Sequence, residues 1–164
     1  MSTNLRAIYL QDHLAGATAG HELAKRAAAS NSDTELGEFL RRLEREIAED
    51  FQSLLDVMDE LGVRPDPIKR SLAWGAEKVG RLKPNGRLLG YSPLSRVVEL
   101  EGLHVGISGK LSLWQLLETT SGAEISSADL GELIARAQRQ LGGLEPHRMA
   151  AAQEAFATWP AAGG

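Results

Sequence analysis

The sequence predicts an all-α fold of four long helices in one bundle, with a short extra helix inside a long crossover between the second and third. Three observations carry this. Apolar residues recur at steps of three and four over long segments and never alternate as in a strand. Aromatic residues make up only 5%, with Ala and Leu in their place, which favours closely packed helices over a sandwich of sheets. Capping and turn residues fall between the periodic segments.

The first helix is expected over 4–29, with Leu5, Ile8, Asp12, Gly16, Ala19, Leu23 and Ala27 on its inward stripe. Asn31-Ser32-Asp33 makes a turn, and Ser32 with Glu35 resembles a capping box. The second helix is expected over 33–61, with Leu40, Leu43, Ile47, Asp50, Leu54 and Val57 in its stripe and Gly62 as its stop. Residues 63–92 form the crossover. Within it, Asp66-Pro67 opens a short helix over 67–81, and Pro84-Asn85-Gly86 breaks the chain. Ser92-Pro93 caps a third long helix to about Thr120, where Gly122 ends it. Ser126 or Ser127 caps a last helix to about 158, with a kink or break expected at Gly142, Gly143 and Pro146. Residues 160–164 read as a frayed tail.

The chain of 164 residues is long enough for one domain with a real core, read here as 1–164. It has no cysteine, which excludes disulfides, thiolate metal sites and cysteine nucleophiles. No leader pattern opens it, and no apolar run reaches the roughly 20 residues of a membrane span. These features point to a cytoplasmic protein without membrane partners. The net charge of −4 is unevenly spread: residues 64–96 carry eight basic against two acidic side chains. That basic segment either packs on acidic helices or binds an anion, for which Arg81, Lys83 and Arg87 near the Asn85-Gly86 turn are the candidates. Its aromatic content is too thin for nucleic-acid recognition.

The chemistry of interest lies in acids placed where a bundle has only apolar side chains. The short turn makes the first two helices antiparallel, so Asp12 falls level with Asp50. Two inward carboxylates need a metal, a shared proton or a basic side chain between them. Arg148 and Lys110 are the candidate buried ion-pair partners. On the third helix Glu101 and His104 form an E-x-x-H spacing, which puts both on one face. They are set either to hold a metal or to hydrogen-bond across to the last helix near Glu145. Asp12, Glu46, Asp50, Glu101 and His104 are the candidate metal ligands.

With these residues in view, the chain resembles the ferritin-like superfamily. The stretches 12–26 (DHLAGATAGHELAKR) and 85–103 (NGRLLGYSPLSRVVELEGL) resemble small, alanine-rich bacterial proteins of unassigned function. The resemblance implies a Glu on the first and third helices and E-x-x-H on the second and fourth. The first helix offers Asp12 or Glu22, and the second Glu46 and Asp50 without a histidine. The third offers Glu99 or Glu101 with His104, and the fourth Glu145 and His147 spaced by a proline. Both expected E-x-x-H motifs are absent from their places. The first functional expectation is therefore a non-redox binding or scaffold protein with a buried polar cluster. The second is a carboxylate-type oxidoreductase or metal-handling protein using iron or manganese. Ferritin-type bundles self-associate, which makes a homodimer the expected assembly, with Gly16, Gly20 and Trp74 as contacts.

Overall fold

The computed structural model describes residues 4–67 and 90–157. They form four α-helices: α1 (Leu5–Ser30), α2 (Glu35–Glu60), α3 (Pro93–Ser121) and α4 (Leu130–Phe156). No strand occurs among the described residues. All but the first residue of the expected short helix at 67–81, residues 68–89 of the 63–92 crossover and the 160–164 tail lie outside them.

Local chemistry sets the helix ends. Asn4 accepts from the Ala7 amide and starts α1. Thr34, not Ser32, caps α2 by accepting from the Gly37 amide at 3.0 Å. Gly37 is required there, since a Cβ would sit 1.9 Å from the Asn31 carbonyl oxygen. Gly62, at φ +69°, follows α2 as the sequence anticipates. Ser92 caps α3, with Pro93 in its first turn. Asp129 caps α4 in place of Ser126 or Ser127, whose amides instead donate to Glu60 at 2.9–3.0 Å. The expected break at Pro146 does not occur, and α4 runs through it. Pro146 and Gly142 both face solvent, so the carbonyl that loses its helical donor lies on the wet side.

Two apolar clusters form the core. One joins Ala24, Ala27 and Ala28 of α1 with Leu40 and Leu43 of α2, Leu100 and Leu103 of α3, and Leu144 and Ala151 of α4. The other joins Leu10 and Leu14 with Leu54, Val57 and Met58, Leu113, Trp114 and Leu117, and Leu130 and Leu133. Hence α1 and α4 run one way, and α2 and α3 run the other. α1 packs on α2 and α3, α3 packs on α4, and α2 meets α4 over a shorter stretch.

The parallel course of α2 and α3 settles a point that the sequence leaves open. Val63, just past α2, packs in the second cluster. Tyr91, just before α3, hydrogen-bonds Asn31 at the opposite end, at 2.9 Å. The crossover therefore travels the bundle length, about 39 Å for 26 helical residues.

α1 is turned away from its expected orientation. The first half of the proposed inward stripe, Leu5, Ile8, Asp12 and Gly16, is exposed, with Leu5 at 74%, whereas Ala27 is buried and Leu23 packs on the core as expected. The buried face carries Leu10, Leu14, Ala24, Ala27 and Ala28. α1 is alanine-rich and scatters its apolar and polar residues around the axis, so its periodicity has no strong phase.

Candidate functional site

Asp50, on the buried face of α2, is only 2% exposed. Lys110 of α3 donates to its Oδ2 and, at 2.5 Å, to Gln140 Oε1. Gln140 Nε2 donates to the same Asp50 oxygen at 3.2 Å and to Glu46 Oε2 at 3.0 Å. Arg136 Nη1 reaches Asp50 Oδ1 at 3.2 Å and Glu49 at 2.9 Å. A carboxylate taken out of water survives because both oxygens receive donors and two cations balance it. Burial lowers the Lys110 pKa, with Asp50 acting against that shift. The expected Lys110 partnership is present. Arg136 and Gln140 complete the cluster and are absent from the sequence reading.

Beside this cluster the two core layers part. A cavity of about 380 Å³ opens among α1, α2 and α3, bounded by Asp50, Lys110, Ile107, Leu54 and Trp114. Gly16 and Gly20 of α1 and Gly106 and Gly109 of α3 line it too. A Cβ added at any of the four would meet no atom within 4 Å. The helix packing does not demand these glycines, yet together they forgo about 3–4 kcal/mol of helix propensity relative to alanine. Tyr9 and His13 border the same space with their rings edge to face at 4.5 Å. Burial lowers the His13 pKa, opposed by Asp12.

Asp12 is exposed and does not face Asp50 inside the core, a consequence of the rotation of α1. It joins the residues lining the cavity. Arg148 does not reach Asp50 either. It is held by Glu145 through two contacts of 2.8 Å and lies 3.4 Å from Glu101. Glu101 is 54% exposed. His104 Nδ1 lies 3.8 Å from Glu145 Oε2, the cross-helix approach expected from the α3–α4 hairpin. The Arg148 hydrogen bonds hold the Glu145 carboxyl below its usual pKa.

The five candidate metal ligands are thus dispersed among a core ion cluster, a surface network and the α1 face. Among the described residues no group of three acid or histidine side chains could hold a metal ion. The donor set does not fit iron or manganese, since the one deeply buried acid of the five already binds two cations. Arg81, Lys83 and Arg87, the candidate anion site, lie outside the described residues, as does Trp74.

A second buried network sits at the far end. Arg26 Nε donates to Glu99 at 2.8 Å, and Glu99 is 9% exposed. Asn31, 3% exposed, receives Arg96 Nε at 2.9 Å and donates to Tyr91. Burial pushes the Tyr91 hydroxyl up to about 12. This network ties the start of α3 to the α1–α2 turn.

Comparison of the chain with protein-family models, curated proteins and solved structures finds no match. The four-helix all-α architecture is compatible with a ferritin-like bundle. No described helix is long and apolar enough to cross a membrane.

Proposed function

We propose that this chain is a non-redox binding protein whose mid-bundle cavity takes a small, largely apolar molecule. The observation that carries the reading is the cavity itself: about 380 Å³, walled mainly by apolar side chains, with a fixed polar cluster at one side. Small-molecule sites have this form. The alternative, an iron or manganese oxidoreductase, finds no converging donor set among the described residues to support it.

The bundle is further proposed as a ferritin-like member. What supports this is the antiparallel pairing within each hairpin together with the parallel course of α2 and α3. A cytoplasmic homodimer is the proposed state. Leu94, Val98, Val105 and Leu116 lie on one outer side of α3, with Val105 70% exposed, and an apolar stripe of this kind favours self-association.

The test uses 1-anilinonaphthalene-8-sulfonate and native protein. Saturable fluorescence enhancement, lost in Gly16→Leu while the helical circular dichroism signal persists, is expected. Enhancement that is absent, or indifferent to that substitution, removes the cavity as a binding site.

A further inference from the structure

Two observations at the cavity are independent of each other. The four glycines keep helix backbone bare toward an open space that no residue fills. Trp114, 1% exposed and lining the same space, has an indole N–H that finds no acceptor among the described residues. A buried donor of this kind normally has a partner, because desolvating it alone is costly.

Lys110 stands one helical turn before Trp114, so the two share a face of α3. Its ammonium has three donors, two of which go to Asp50 and Gln140. Both groups only donate, so what completes them is an acceptor. The charge of Asp50 is already shared by Lys110 and Arg136, and the exposed Asp12 is screened by water. Apart from Tyr9 and His13, the remaining walls are apolar side chains and glycines, and bare glycine backbone admits a flat body at close range.

We infer that the cavity binds a small flat apolar molecule bearing a carboxylate, with its oxygens received by Lys110 Nζ and Trp114 Nε1. The assignment rests on the binding role proposed above and names the class of ligand for it. The carboxylate supplies the acceptor that Trp114 lacks and takes the third donor of Lys110. The ring occupies the space between the Gly16–Gly20 and Gly106–Gly109 segments.

The experiment is isothermal titration of the full chain with three probes of one shape: 1-naphthoate, 1-methylnaphthalene and 1-naphthylmethylammonium. 1-Naphthoate is expected to bind roughly tenfold or more tightly than 1-methylnaphthalene, the margin of a charge-assisted hydrogen bond. Trp114→Phe keeps an aromatic side chain, though a smaller one, and removes the N–H. It is expected to weaken 1-naphthoate roughly three- to tenfold and to leave 1-methylnaphthalene unchanged. Gly109→Leu, whose side chain projects into the open space, is expected to abolish both. Equal affinity for the acid and the hydrocarbon in the wild-type chain overturns the carboxylate assignment and leaves the cavity a binding site. Tightest binding of the ammonium does the same. Failure of all three probes overturns the binding role and this inference with it. The wild-type series decides the matter even if Trp114→Phe does not fold.

Discussion

Lys110 and Asp50 meet through the centre of the bundle, joining α3 to α2 across a diagonal that the helix backbones do not bridge. Each is the other's principal counter-charge, and Arg136 and Gln140 reach the same carboxylate from α4. Three helices are thus tied at one buried acid.

That arrangement makes the cost of mutation asymmetric. Asp50→Asn leaves Lys110 buried without its anion and is expected to lower unfolding free energy by about 3–5 kcal/mol. Lys110→Met leaves Asp50 with Arg136 and Gln140 and is expected to cost less, about 1–3 kcal/mol. The Asp50→Asn/Lys110→Met double variant removes both charges of the pair, and its loss is expected to be well below the sum of the single losses. Urea unfolding of the four proteins measures the coupling, and simple additivity would contradict it.

The open glycines give the opposite sign. Gly16→Ala and Gly106→Ala each add a methyl group where no atom stands within 4 Å. Each is expected to stabilise the chain by about 0.5–1 kcal/mol, or roughly 1–4 °C in melting temperature. A loss of stability would mean that the bare backbone is needed by the fold.

Alkaline pH tests the Tyr91 network. The folded pKa, about 12, lies above the ordinary tyrosine value of 10.0, so the native state holds this proton more tightly than the unfolded chain does. The resulting stability is complete below pH 10 and disappears as pH rises toward 12. Tyr91→Phe is expected to flatten this part of the curve. Lys110 acts the other way: its lowered pKa makes folding costlier below that value and relieves the cost as pH rises toward 10.5.

Acid pH tests the contact between the α2 end and the α3–α4 loop. Glu60 accepts from the Ser126 and Ser127 amides and, at 2.5 Å, from Ser126 Oγ. These bonds hold its carboxyl at about 2, below the ordinary glutamate value of 4.5. The contribution is present above pH 4.5 and is lost as pH falls toward 2. Glu60→Gln is expected to make the acid limb shallower, read by thermal melts across pH 2–6.

Metal content provides a separate check. Protein purified without chelators is expected to carry far less than one iron or manganese per chain, and its melting temperature to be indifferent to EDTA. Stoichiometric metal lost in both Asp50→Asn and His104→Ala would restore the oxidoreductase reading.

The reading of Asp50 from sequence succeeds because α2 has a steep apolar stripe. Leu40, Leu43, Ile47, Leu54 and Val57 fix one face, and an acid among them must be buried. Asp12 fails the same test because α1 offers apolar residues on every side. Gln140 was available to the same reasoning, lying between Ala137 and Leu144 on the buried face of α4. Arg136, half-buried at the edge of that face, had no such signal. Glu99 is buried through a partner 73 positions away, which local spacing cannot reveal.

The sequence alone determined four helices, their two hairpins and the buried acid of α2, since these follow from local capping and from a stripe of unambiguous phase. Tertiary structure decided which side of α1 turns inward, that α2 and α3 run parallel, and that the glycines gather around one open space. A helix whose apolar residues are scattered around its axis has no intrinsic face, and a long connection can span the bundle or fold back. Only packing against the other helices makes those choices.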